Sequence, residues 1–203
     1  MNPFIPSPAD LIRVLPETIW CGFGALLMLL QPFTRNRNVL SFFAIVGAGL
    51  GTAATLYPGA LGGSAFSGLL QIDAFSAFFH LLVGTVAFLV VLAAEPYLER
   101  ERLDSGEFYA LVLFATAGMG VLSSAQELLT AFIGLEMSSI SSYVLAGYRR
   151  NSLKASESAM KYFLLGSFAT AFFLYGIALV YGVTGTTLLP NMTAVDPTST
   201  NDP

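Results

Sequence analysis

Charged residues divide this chain into apolar stretches of about 20 residues, the length a helix needs to cross a bilayer. Six such stretches predict helices at roughly 14–32, 38–57, 74–95, 107–125, 127–148 and 157–182. Pro32 is expected to close the first, Pro58-Gly59 the second and Pro96 the third, because proline and glycine punctuate helices. The stretch 60–71, rich in Gly and Ser, reads as an exposed loop. The turn Ser123-Ser124-Ala125-Gln126 is short, which makes the fourth and fifth helices antiparallel neighbours. Residues 1–13 form a lead-in whose prolines oppose an early helix, and the polar tail 186–203 is expected to be disordered. The fold class is therefore all-α, a polytopic membrane helix bundle occupying residues 14–185.

Composition strengthens this picture. Only 11% of the 203 residues are charged, against roughly 25% in soluble domains, and the mean hydropathy is +0.69. The net charge of −4 and the lack of a basic patch interleaved with aromatics argue against a nucleic-acid partner. A single cysteine, Cys21, excludes an intramolecular disulfide or a cysteine metal cluster. The start, MNPFIPSPAD, lacks the basic n-region of a signal peptide.

Basic residues orient the helices. Arg35 and Arg37, Arg100 and Arg102, and Arg149, Arg150 and Lys154 fall on alternate loops, which the positive-inside rule assigns to the cytoplasm. The loops on the other face carry no Lys or Arg; Arg13, in the lead-in, dissents. The N-terminus is expected outside.

Glu136 is the one charge between Glu127, at the head of the fifth stretch, and Arg149, nine residues past the former and thirteen before the latter. The helical rise buries it roughly 13 Å from one end and 20 Å from the other. Ionising a carboxylate there costs on the order of 2.5–3.5 kcal/mol even on lenient insertion scales. Two readings follow. Glu136 is a protonatable relay site, tuned by desolvation and by a nearby cation, or it is a neutral hydrogen-bonding glue beside Ser138, Ser139, Ser141 and Ser142.

Lys161 is the natural cation, yet it lies only about four residues, roughly 6 Å, into the sixth helix, so contact with Glu136 would need bridging waters. Its alternatives are snorkelling or pairing with Glu157 four residues earlier, in the favourable order. His80, about seven residues into the third helix, is either hydrogen-bonded packing or a shuttle. GAGLG at residues 47–51 lies inside a hydrophobic stretch and lacks the third glycine of a dinucleotide fingerprint; Gly47 and Gly51 form a small-residue packing face instead. No phosphate loop, metal-ligand cluster or Ser-His-Asp arrangement is present in the sequence, so no cofactor is expected on this chain.

From Glu136 onward the residues resemble a known family. Leu135-Glu136, Tyr143-Val144-Leu145-Ala146, Tyr148-Arg149-Arg150, Ser156-Glu157 and Ala159-Met160-Lys161-Tyr162-Phe163 are similar to the antiporter-like membrane subunit N of bacterial respiratory complex I, NADH-quinone oxidoreductase. Leu174-Tyr175-Gly176 and Tyr181-Gly182-Val183-Thr184-Gly185 continue the likeness, and Leu15-Pro16-Glu17 and Ile72-Asp73 carry it more weakly. The resemblance implies about fourteen helices in two inverted repeats, with Glu136 and Lys161 as proton-channel residues. It also implies a proton-translocating role in the bacterial inner membrane beside antiporter-like subunits L and M and small subunits. Quinone would be a substrate of the complex, and NADH, FMN and iron–sulfur clusters would reside in partner subunits. The six predicted helices correspond to the N-terminal part of such a subunit. Two alternatives stand beside this: an antiporter-type subunit of a membrane hydrogenase or multisubunit sodium/proton antiporter, and a purely structural membrane-arm subunit.

Overall fold

The computed structural model describes residues 7–34, 36–103 and 105–192. Expectations on residues 1–6, Arg35, Asp104 and the tail from residue 193 lie outside the described residues. In chain order the elements are α1 (Pro8–Arg13), α2 (Leu15–Leu30), α3 (Arg37–Ala54), α4 (Leu56–Leu61), β1 (Gly63–Ala65), β2 (Leu70–Ile72), α5 (Ala74–Arg100), α6 (Ser105–Ser124), α7 (Leu128–Ala146), α8 (Leu153–Thr184) and α9 (Leu189–Met192). The chain is a multi-pass membrane helix bundle. Residues 37–61 (α3 with α4), α5, α6, α7 and α8 are each long and apolar enough to cross a membrane. The expected first span is shorter than the sequence pattern suggests: α2 has 16 residues, about 24 Å at the helical rise.

The bundle is organised around α6. Thirteen of its 20 residues are buried, among them Ala110, Ala115, Ala117, Gly118 and Gly120, and α2, α3, α5 and α7 all pack on it. Small side chains let helix backbones approach closely in lipid, where dispersion and hydrogen bonding drive association. At the crossing with α7, a Cβ on Gly134 would lie 2.7 Å from the Leu122 backbone nitrogen and 2.9 Å from the Gly118 carbonyl oxygen. The Ser123–Gln126 turn does join antiparallel neighbours: Gly118 meets Gly134 near this turn, and Phe108 stacks edge-on against Tyr148 at the far ends. Each surrounding helix presents one stripe inward. On α2 it is Glu17, Trp20, Gly24 and Leu27; on α5 it is Ser76, His80, Gly84, Ala87, Val91, Ala94 and Leu98. Gly47 and Gly51 do form a packing face, because Cβ atoms there would strike the rings of Phe23 and Trp20. In α8 only Ile177 is buried, and this helix lies at the edge against α7.

Several sequence expectations need correction. The lead-in prolines do not prevent an early helix. Pro8 occupies the first turn of α1, where its missing N–H costs nothing, and Ser7 with Asp10 closes a capping box. Pro58 does not end the second span: α3 stops at Ala54, and Pro58 falls in the first turn of α4, which runs on to Leu61. Pro96 lies inside α5, which continues to Arg100 because Ala94 and fully buried Leu98 keep the last turns packed on the core.

The stretch 60–71 is not a free loop. β1 and β2 pair antiparallel, Ala65 opposite Leu70, and both are buried, as is Ile72. The hairpin is anchored from three sides. Arg13 Nε donates to the Gly62 carbonyl (3.1 Å), the Phe66 N–H donates to Asp10 Oδ1 (3.1 Å), and the Gln126 N–H donates to the Leu69 carbonyl (2.8 Å). Gly63 has φ +98°, and a Cβ there would also meet the Arg13 guanidinium at 2.7 Å. The start of the expected tail is held too: the Leu128 N–H donates to the Thr187 carbonyl and the Leu189 N–H to the Gln126 carbonyl, both at 3.0 Å.

At the opposite end the basic loops converge. Arg149 contacts Glu101 at 3.0 Å, Arg150 contacts Glu107 at 2.8 Å, and Arg37 donates to the Leu103 carbonyl at 3.3 Å.

Two outcomes follow. Gly134→Val forces α6 and α7 apart and costs on the order of 1–3 kcal/mol by overpacking, seen as a lowered thermal midpoint in detergent. Gly182→Ala, with nothing within 4 Å of the new methyl, leaves the midpoint unchanged or raises it through helix propensity. The second concerns acid. Hydrogen bonds from the Ser7 hydroxyl, the Ser7 N–H and the Phe66 N–H hold the Asp10 carboxyl below its ordinary range, against a smaller opposing effect of burial. A depressed folded pKa stabilises above the unfolded value, and that contribution is lost as pH falls through the folded one. Protection of the Phe66 amide against hydrogen exchange should therefore fall on acidification below the usual carboxylate range, and Asp10→Asn should remove that pH dependence.

Candidate functional site

Glu136 is the ninth residue of α7, which runs from Leu128 to Ala146 without another charge. Glu127 marks the start of this helix: its carboxylate accepts from the Thr130 N–H at 2.6 Å and from the Thr130 hydroxyl at 2.7 Å. That cap marks where α7 begins, eight residues before Glu136 along the helix counted from Leu128. The Glu136 Oε1 atom is buried and has no hydrogen-bond partner among the described residues. Two of the four serines considered as glue are engaged with their own helix: Ser141 donates to the Met137 carbonyl and Ser142 to that of Ser138, both at 2.9 Å. A buried carboxyl oxygen without a donor is costly, and protonation or water relieves that cost.

The structure does not bring Lys161 to Glu136. The Lys161 ammonium lies 2.5 Å from Glu157 Oε1, one turn earlier on α8, and both side chains are exposed to the surroundings of the bundle. That is the i, i+4 pair legible from the spacing. Between α7 and α8 sits Tyr143, two turns beyond Glu136; its ring is edge-on to Tyr162 and Phe163, and its hydroxyl packs against Gly166.

His80 is buried, and its partner is one the sequence did not single out. Nε2 lies 2.5 Å from Oε1 of Glu17, in the first turn of α2. Glu17 entered the sequence analysis only through the family resemblance and not as a site residue, because near the start of an apolar stretch a carboxylate reads as interfacial. The available signal was shared depth: α2 and α5 enter from the same end, and each carries one ionisable intruder within its first two turns.

Residues 125–202 match the family model described as NADH:quinone oxidoreductase/Mrp antiporter, TM. That segment contains both Glu136 and Lys161. The chain is 44% identical over 180 residues to NADH-quinone oxidoreductase subunit N 1 of Solibacter usitatus, covering 88% of this chain and 37% of that protein. It is 45% identical over 188 residues to subunit N 2 of Koribacter versatilis, with 88% and 38% covered. Over most of its own length the chain is similar to NADH-quinone oxidoreductase subunit N. It spans 37–38% of the length of these subunit N relatives. Among solved structures, a chain of respiratory complex I from Thermus thermophilus, determined with bound aureothin, superposes with a TM-score of 0.72 at 35% identity, covering 86% of this chain and 38% of that one. A chain of an archaeal membrane-bound sulfane sulfur reductase superposes with a TM-score of 0.79 at 23% identity, covering 91% and 40%. The latter likeness shows the shared fold.

Proposed function

We propose that the protein acts as a proton-translocating membrane subunit of NADH-quinone oxidoreductase, with Glu136 as a protonatable relay site. The observation that carries this reading is the Glu136 carboxyl halfway along an otherwise uncharged spanning helix, with Oε1 buried and no protein group bound to it. Such an oxygen takes a proton when its surroundings are apolar and gives it up when a positive charge approaches, since desolvation and a nearby cation shift its proton affinity in opposite directions. Lys161 supplies the movable charge. Its ammonium rests on Glu157, and release from that partner changes the field along α7 and α8.

Quinone reduction takes place elsewhere in the complex and drives that change, so protons pass stepwise along hydrated half-channels. NADH, FMN and the iron–sulfur clusters are held by partner subunits. The neighbours in the membrane are antiporter-like subunits L and M and the small membrane subunits. The complex lies in the bacterial inner membrane with the arginine-bearing end of this chain in the cytoplasm, which places the N-terminus and the hairpin outside. The reading is supported by identities of 44–45% with subunit N, which favour NADH-quinone oxidoreductase over hydrogenase and sodium/proton antiporter assemblies of the same fold.

The test is Glu136→Gln in the full-length subunit within the assembled complex, reconstituted in proteoliposomes. Proton uptake coupled to NADH oxidation should fall at least about tenfold, as loss of a proton-transfer group does, with assembly preserved. Pumping and quinone reduction at wild-type rates would remove Glu136 from the mechanism.

A further inference from the structure

Glu17 and His80 form a buried acid–base pair among the described residues that the relay through Glu136 leaves unused. Glu17 is 7% exposed and His80 4%, and Oε1 and Nε2 lie 2.5 Å apart. The other carboxyl oxygen, Glu17 Oε2, is buried and has no hydrogen-bond partner. One turn further along α2 the fully buried Trp20 presents its indole Nε1–H, also without a partner. Space around these groups is shaped by glycines on three helices. A Cβ on Gly120 of α6 would lie 3.0 Å from Glu17 Oε1 and 3.1 Å from His80 Cδ2. One on Gly51 of α3 would collide with Trp20 Nε1, and one on Gly84 of α5 would reach Trp20 Cζ2 at 2.8 Å.

Apart from Cys21, the ionisable groups described on the surrounding helices are engaged elsewhere or lie at far helix ends. On α2 the only other titratable side chain is Cys21, one turn beyond Glu17. On α5, Asp73 is occupied in capping Ser76, and Glu95, Glu99 and Arg100 lie at the far end. Arg37 on α3 and Glu107 on α6 stand at the far ends of their helices. On α1, Asp10 binds Ser7 and Phe66, and Arg13 binds Gly62. Glu127 at the head of α7 binds Thr130.

A carboxyl oxygen and an imidazole nitrogen this close require a proton between them, since two lone pairs would otherwise face each other. The pair therefore carries charge −1 with one such proton and charge zero with two, the second on His80 Nδ1 or Glu17 Oε2. An unfilled acceptor and an unfilled donor one turn apart are also what a water molecule requires, because it donates to one and accepts from the other.

We propose that Glu17 and His80 are a second proton-holding site, at the hairpin end of the bundle, binding one exchangeable proton as a unit. Glu17 Oε2 and Trp20 Nε1 take the water through which that proton enters and leaves. In uptake, a hydronium ion gives its proton to the pair and leaves as water; in release the proton returns to water. The site stands independently of the role of Glu136.

The test is a pH titration, from about pH 5 to 9 to bracket an imidazole, of the purified complex containing the full-length subunit, followed by infrared difference spectroscopy of carboxyl and imidazole bands. Wild type should show one proton-linked transition in which carboxyl and imidazole bands change together, as coupled groups do. Glu17→Gln and His80→Gln should each abolish that whole transition, and the double variant should remove no more than either alone. Glu136→Gln should leave it in place. Should a single variant fail to assemble, the double variant gives the same reading, because an amide–amide hydrogen bond replaces the pair without a titrating proton. Carboxyl and imidazole bands that titrate separately, or a double variant superimposable on wild type, would overturn the proposal.

Discussion

Hydrocarbon supplies no hydrogen bonds, so every polar group carried into this bundle must find a partner in protein or in water held by protein. Helix α6 meets that constraint by presenting alanines and glycines to four neighbours, and the resulting close approach leaves room for few polar atoms. Those that enter are nearly all bound. Ser41 bonds Tyr109 at 3.1 Å, Gln31 accepts from the Gly106 N–H at 2.8 Å, and the buried Thr116 hydroxyl donates to its own helix. Against that background, Oε1 of Glu136, Oε2 of Glu17, Nε1 of Trp20 and, at the head of α6, Oγ of Ser105 stand out among the described residues as buried atoms with none. They mark where water or a transferable proton has physical reason to be.

The two ends of the bundle solve the same problem differently. At the hairpin end, backbone groups pair with one another: α1, the hairpin, the α6–α7 turn and the segment after α8 share hydrogen bonds that leave little backbone unsatisfied. At the arginine end, long charged side chains pair across loops in exposed positions, where each contributes little to stability but the sum of charges sets orientation. Helix α8 departs from both patterns. Its aromatic faces, including Phe168, Phe172 and Tyr175, are exposed, and in subunit N relatives more than half of the length lies outside the region this chain matches.

Much of this was legible in the sequence because spanning helices are written in uninterrupted apolar runs. The charges of α7 and α8 could be read in one dimension: Glu136 as the lone carboxylate of its span, Lys161 and Glu157 as an i, i+4 pair. Proline misled where its meaning depended on position within the helix, at Pro8, Pro58 and Pro96. The hairpin was hidden because Gly and Ser at 60–71 describe a turn-rich segment, whereas its order comes from Asp10, Arg13 and Gln126, distant in sequence. The Glu17–His80 pair was missed for the same reason. Sixty-three positions separate the partners, and no local pattern announces a contact between helices.

The central claim is that the carboxyl of Glu136 gains and loses a proton in the interior of the membrane. A structure of the assembled complex with ordered waters resolved tests it most directly. The account predicts a file of waters that reaches Glu136 and connects it to a basic side chain. A carboxyl turned toward lipid, or enclosed in a dry contact with no water and no basic neighbour, would contradict it.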